Sequence, residues 1–232
     1  DISFAAFAFG GLQAIFSGFV ILYLIDGLDY SEVEAGSAFA IASFTAIWAR
    51  ILWGVLGGNF VPARWVFAGI GLFSGIAALL MTQFDFTWTL NEIIAVAILF
   101  NITALSWHGI LLSETARLGD PHVQVGIVAE GQVGGVTGGV LSFTSIAMMI
   151  YPALYGLILA GTGSYELGFA LGSIPAFAAF IIFLYPALQG SWYGYCLDLG
   201  RRLFSLRTLG QAVVLLALGA VFGVLFQILS PY

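Results

Sequence analysis

Residues 85–117 read DFTWTLNEIIAVAILFNITALSWHGILLSETAR, and this stretch decides the fold. Between Glu92 and Glu114 it holds no Asp, Glu, Lys or Arg, and Arg117 follows at its far end. A run of ~20 apolar residues rising ~1.5 Å each crosses the ~30 Å hydrocarbon layer of a bilayer as a helix. A membrane barrel strand would alternate with a period of two instead. With no water inside the bilayer to satisfy the backbone, such a continuous run has to be helical.

Working outward, residues 4–25, 35–56, 65–81, 127–159, 167–188 and 209–229 have the same character, so that with 90–112 the sequence predicts seven spans. The fifth run, 127–159, is unusually long and is broken by glycines and Pro152. The charges between the runs are sorted. Arg50 and Arg64, then Arg117, then Arg201, Arg202 and Arg207 occupy every second break, and there is no lysine. Asp26, Asp29, Glu32 and Glu34, then Asp85 and Glu92, then Glu166 occupy the others. Arginines collect on the cytoplasmic side of membrane proteins. Arg50, Arg64, Arg117 and Arg201 are therefore expected inside, and Asp29, Asp85 and Gly163 outside. The N-terminus then lies in the cytoplasm and the C-terminus is external. The expected organisation is an all-α polytopic bundle of six helices over residues 1–188, a cytoplasmic linker at 189–207 and an additional transmembrane helix within 208–232.

Composition points the same way. The 232 residues are 61% hydrophobic and 8% charged, with a mean hydropathy of +1.05, whereas a soluble surface needs roughly a quarter or more of its residues charged. The exterior must face lipid. The net charge of -6 comes mainly from acids in the expected external breaks, and no basic patch is present to hold nucleic acid. Cys196 is the single cysteine, which excludes an internal disulfide framework and metal-site spacing. The first run lacks a basic leader and a small-residue cleavage site, so it is expected to remain as a span. The chain opens at Asp1 rather than at a methionine, so it is expected to be part of a longer protein or to lack its first residues.

Polar residues divide the spans into two kinds. The first carries Gln13 and Ser17, and the second Ser43, Thr45 and Trp48. The fourth carries Asn101, Thr103, Ser106, Trp107 and His108, and the fifth Gln132, Ser142, Thr144 and Ser145. The third has only Ser74 well inside and the sixth only Ser173. Polar groups in hydrocarbon are costly unless paired or wetted. Spans one, two, four and five therefore either border a polar cavity or hydrogen-bond to one another, with three and six as outer supports. In the fifth span, Gly131, Gly135 and Gly139, and beside them Gly134 and Gly138, recur every four residues. Such stripes let helices approach closely in lipid, so Gly135 is expected against a neighbouring helix, either fixed or sliding.

Two segments resemble the major facilitator superfamily of transporters. ARILWGVLGGNFVPAR, residues 49–64, is similar to its short loop between the second and third helices of a half, G-x-L-x-D-R-x-G-R-R. Gly54, Leu56 and Gly57 match the start, while Gly58 and Asn59 replace the usual aspartate and basic residue. WHGILLSETARLGDP, VGIVAEGQVGGVTGG and YPALYGLILAGTGSYELGF, between Trp107 and Phe169, resemble the fourth to sixth helices of bacterial members. Glu114, Ala116, Arg117 and Pro121 match a helix end and loop. Thr137, Gly138 and Gly139 match the entry to the fifth helix, and Pro152, Gly156, Gly163, Ser164, Tyr165 and Phe169 its exit and the next entry. The resemblance covers residues 1–188 and implies a C-terminal six-helix half whose first, second, fourth and fifth helices face a central cavity. It implies a bacterial inner-membrane location and a second six-helix half, or another membrane subunit, as partner. A seventh span departs from the family pattern.

The expected substrate-binding set is Gln13, Thr45, Asn101, Thr103, Trp107, His108 and Thr144, converging near mid-membrane. His108 titrates near neutral pH, and it either relays a proton or bonds to a neighbouring helix or interfacial water. Glu130 either gates by pairing with Arg117 or Arg50 or sits in interfacial water. Trp53, Trp65, Trp88, Trp192, Tyr193 and Tyr195 are placed for interfacial aromatic belts. No hydrolase, zinc-protease or phosphate-loop motif occurs, and neither enzymatic activity nor a cofactor is expected. Two functions remain open. One is a secondary active transporter moving a small polar or anionic solute by alternating access. The other is a non-transporting scaffold or assembly subunit of a larger membrane complex.

Overall fold

A computed structural model describes residues 1–118 and 133–189. Over them the chain is helical, and no strand occurs among the described residues. Helix α1, Ile2–Leu22, continues into a π-helical turn, Tyr23–Gly27; α2, Glu32–Val55, likewise continues into Leu56–Phe60. Helix α3 spans Ala63–Met81, α4 Leu90–Ala104, α5 His108–Leu118, α6 Val133–Thr162 and α7 Tyr165–Gln189. Six of the resulting segments are long and apolar enough to cross a bilayer, the fourth being Leu90–Glu114, made of α4 and α5 together. The protein is thus a helical membrane bundle, and the six spans among the described residues overlap the first six apolar runs of the sequence. The compact unit ends at Gln189. The linker beyond it, the run 209–229, Arg201, Arg202, Arg207, Glu130, Gln132, Trp192, Tyr193 and Tyr195 lie outside the described residues.

The acidic breaks serve as helix caps. At the start of α2 the Glu34 N–H donates to Ser31 Oγ at 3.3 Å, and the Ser31 N–H donates back to the Glu34 carboxylate at 3.0 Å. Thr89 and Glu92 repeat this reciprocal box at the start of α4, with the Thr89 N–H donating at 2.8 Å. Each box satisfies two otherwise orphan N–H donors. Between α6 and α7, Gly163 takes φ +70° and donates its N–H to the Leu159 carbonyl at 2.7 Å. A side chain would be strained there, and the left-handed residue stops α6 so the chain can turn within two residues.

Packing follows a paired scheme. Span one (α1) lies along span five (α6), span two (α2) along span four (α4 and α5), and span three (α3) along span six (α7). Weaker pairings join one with six and three with four. Exchanging each span with the one three places later maps this scheme onto itself. Small residues make the close approaches. Helix α2 buries Ala35, Ala38, Ala42, Ala46 and Ala49, spaced three or four apart and so on one face. In lipid this close fit, rather than release of water, is what holds helices together.

Two expectations are corrected. Gly131 lies outside the described residues, and the rest of the glycine stripe does not contact a described helix. A Cβ added at Gly134, Gly135, Gly138 or Gly139 would meet nothing within 4 Å. The buried face of α6 is Val140, Thr144, Ala147, Tyr151 and Tyr155, and at 100° per residue the glycines fall largely on the other side. Four-residue spacing defines a face without saying which way it points. The fourth span is also not one helix. It breaks at residues 105–107, between α4 and α5.

Candidate functional site

The break in span four leaves carbonyls without their ordinary partners four residues on, and in hydrocarbon each must be satisfied by something else. Helix α2 supplies much of it. The Arg50 Nε donates to the Leu105 carbonyl at 3.2 Å, and the Trp53 indole donates to the Ile102 carbonyl. The Ser106 hydroxyl lies 2.8 Å from the Asn101 carbonyl and 3.1 Å from that of Ala46 on α2, and the Ser106 N–H donates to the Thr103 carbonyl. Trp53, placed by sequence in an aromatic belt, thus also holds two spans together. The crossing is close because Gly109 has no Cβ, which would collide with the Arg50 carbonyl oxygen. No proline or glycine occupies residues 105–107, so the sequence carries no plain sign of the break.

The expected site residues gather unequally. Thr45 donates to the Ala42 carbonyl at 2.6 Å, and Thr103 reaches the Leu99 carbonyl at 2.8 Å, both within their own helices. Asn101 is fully buried and donates its amide to the Ala97 carbonyl at 2.8 Å, while its Oδ1 has no partner. The Trp107 and His108 rings lie 4.2 Å apart, with Trp107 also facing Phe9 of α1 at 6.2 Å. Thr144 of α6 is buried against Gly10 of α1, where an added Cβ would come within 2.6 Å of its methyl group. On a helix, position 13 projects between positions 9 and 10. Gln13 therefore shares the side of α1 that meets both the break, through Phe9, and α6, through Gly10.

The buried side-chain polar atoms without a hydrogen-bond partner, among the described residues, are Gln13 Oε1, Ser43 Oγ, Asn101 Oδ1, Trp107 Nε1, His108 Nδ1, Thr144 Oγ1 and Tyr151 OH. Every one belongs to span one, two, four or five. The buried serines of spans three and six are paired: Ser74 donates to the Gly71 carbonyl and Ser173 to that of Ala170. Each orphan asks for a water, an ion or a ligand. Gln13, Asn101, Trp107, His108 and Thr144 belong to the set expected from the sequence, and Ser43 is a polar residue of span two outside that set. Tyr151 was missed because it stands in an apolar run beside Pro152, where nothing marks its hydroxyl.

A cavity of about 410 Å³ lies between α1, α6 and α7. Its walls are apolar apart from Tyr151 and Tyr155, and none of the seven expected site residues lines it. The polar groups around the break are thus separate from this space, to which span six contributes a wall. No protein-family model matches the sequence, and no curated protein matches it.

Proposed function

We propose that residues 1–188 form the C-terminal six-helix half of a secondary active transporter of the major facilitator superfamily type. The transporter moves a small polar or anionic solute by alternating access across a bacterial inner membrane, with the chain's N-terminus in the cytoplasm and, beyond a seventh span, its C-terminus external. The observation that carries this is that, among the described residues, the unpartnered buried polar atoms all belong to spans one, two, four and five. A buried polar group left unpaired costs roughly 1–3 kcal/mol, a burden that packing alone gives no reason to concentrate on the would-be cavity helices. The span pairing supports the same reading, since a three-plus-three repeat is nested within halves of this family.

The chemistry available in this half is neutral. Amide, indole, imidazole and hydroxyl groups can replace the hydration of a solute one hydrogen bond at a time. Among the described residues no Asp, Glu, Lys or Arg sits at the middle of a span, so charge for coupling or for an anionic solute has to come from the partner half. That half docks where the bundle is least covered. Helix α2 exposes Phe44, Ile47 and Ile51, and α6 exposes Phe143, Ile146 and Met149.

The scaffold reading keeps two supporting observations, the replacement of the family's loop aspartate by Gly58 and, among the described residues, the absence of charge at the middle of any span. Counterflow of small polar and anionic solutes into vesicles bearing the protein and its partner half separates the two. The transporter reading expects Asn101→Ala and Thr144→Val to slow counterflow about tenfold, equivalent to ~1.4 kcal/mol, with the fold intact. No counterflow of any solute, together with stoichiometric recovery in a larger membrane complex that both variants still join, supports the scaffold.

A further inference from the structure

Spans one and five (α1 and α6) touch at two levels, and the two contacts are built from opposite materials. At the level of Phe19 the contact is committed. The Phe19 and Tyr155 rings stack with their centroids 4.1 Å apart, and the Tyr155 phenol donates to the Tyr165 carbonyl at 2.7 Å. Just beyond, Tyr23 of the π-helical turn donates to the Met81 carbonyl at 3.2 Å and stacks on Tyr165. This end of the pair is thereby fixed to spans three and six.

About two and a half turns away along α1, the helices meet through two glycines. A Cβ at Gly10 would lie 2.6 Å from the Thr144 methyl group. One at Gly11 would collide with the Tyr151 ring, including Cζ, the carbon that bears the hydroxyl, so this hydroxyl lies against the backbone of α1. Neither hydroxyl has a partner among the described residues, and both are sealed from water. The ring contact at this level is edge-on, Phe7 to Tyr151 at 5.4 Å. The close approach of α3 and α7 is made differently: Gly71 admits the Ala176 carbonyl, and Ser74 and Ser173 are paired. A sealed, unpaired hydroxyl costs free energy, and the cost disappears once water reaches it. Valine at 144 and phenylalanine at 151 would fill the same space without that cost. The penalty thus weighs on the closed contact alone.

We propose that the α1–α6 crossing is a gate: the two helices stay joined at Phe19 and Tyr155 and part at Gly10 and Gly11, so that water reaches the Thr144 and Tyr151 hydroxyls in the open state. The close fit at the two glycines favours the closed state, and the unpaired hydroxyls favour the open one. Helix separation is read without any solute, so a failure of the transport reading leaves its test intact.

The parent for the test is the full chain carrying Cys196→Ser and Ala147→Cys, since Ala147 is fully buried on α6 between the two hydroxyls. Labelling of residue 147 by a small hydrophilic thiol reagent, in phosphatidylcholine vesicles and read by mass spectrometry, measures opening. The parent should label slowly. Thr144→Val and Tyr151→Phe should each slow labelling roughly five- to tenfold, the bias of one hydroxyl. Gly11→Ala, whose methyl group pushes the Tyr151 ring off α1, should speed it by a similar factor. Gly10→Cys with Thr144→Cys places two Cβ atoms 3.4 Å apart, close to the ~3.8 Å of a disulfide. Oxidation of that pair should stop labelling at residue 147, and reduction should restore it. Ala176→Cys, at a fully buried position on α7, should stay silent in the Cys196→Ser background. The proposal is overturned if residue 147 never labels, if Thr144→Val and Tyr151→Phe label like the parent, or if the oxidised pair leaves the rate unchanged. Equal labelling of Ala176→Cys, which marks general loosening of the bundle, overturns it as well. Should Gly11→Ala fail to fold, Thr144→Val and Tyr151→Phe, which add no volume, decide.

Discussion

The Arg50 Nε donates to the Leu105 carbonyl at 3.2 Å, tying the arginine-bearing end of α2 to the break between α4 and α5. Three residues along α2, Trp53 does the same for the Ile102 carbonyl. Span four can be discontinuous in hydrocarbon because span two supplies the donors that the missing turn would have provided.

Arg50→Met should lower the stability of the purified protein by about 1 kcal/mol, the loss of one hydrogen bond from a side chain that is largely exposed. Arg50→Lys should not restore it, because an ammonium lacks the fixed fork that aims Nε. Thermal unfolding in detergent measures both. Full stability of Arg50→Met would mean that the Leu105 carbonyl does not depend on Arg50.

Gly109→Ala should cost more. The new methyl group meets the backbone carbonyl of Arg50, which cannot swing aside as a side chain would, and overpacking of this kind typically costs about 1–3 kcal/mol. Gly135→Ala, on the open face of α6, should unfold with the parent. Equal melting temperatures for all three proteins would show that the α2–α5 crossing is looser than the structure has it.

The six spans of the described residues were legible because a single dominant requirement sets them: hydrocarbon must be crossed by apolar helix. Ser31 with Glu34 and Thr89 with Glu92 carry the three-residue spacing of a capping box, a helix-start signal that a reading by hydropathy does not use. The break at residues 105–107 was hidden, because no proline or glycine occupies it and the donors that satisfy its carbonyls come largely from α2, far away in sequence. The glycines of α6 misled for a different reason: small residues permit close contact without requiring it. Tyr151 could be found only once its hydroxyl was seen to lack a partner.

Paired and unpaired hydroxyls should respond in opposite ways. Ser106→Ala removes the donor to the Asn101 carbonyl and should destabilise the protein by about 1 kcal/mol. Thr144→Val removes a hydroxyl that has no partner and should be neutral or stabilising, while still slowing solute movement. Denaturation of the two variants under one set of conditions checks this, and a destabilised Thr144→Val would mean that its hydroxyl is already satisfied.

Asp85, in the turn before α4, accepts from the Thr87 hydroxyl and from its N–H, the latter at 2.8 Å. The hydroxyl bond first and the amide bond second hold its carboxyl below the ordinary aspartate range. A depressed carboxyl contributes stability that is present above its unfolded value and lost as pH falls through the folded one. The wild type should therefore lose stability relative to Asp85→Asn on acidification through and below the ordinary aspartate range, and not between pH ~6 and ~8. Melting curves across that range test it, and parallel curves would remove Asp85 from the account.

The most direct test of the central claim is aqueous accessibility inside the bundle. In a background where the single cysteine, Cys196, is replaced by serine, new cysteines at Gln13, Asn101, Thr144, Ser74 and Ser173 are exposed to a small hydrophilic thiol reagent in intact membranes. The account predicts labelling at Gln13, Asn101 and Thr144, and none at Ser74 and Ser173, which belong to the outer spans. Silence at the first three, or equal labelling at all five, would contradict a polar pathway walled by spans one, two, four and five.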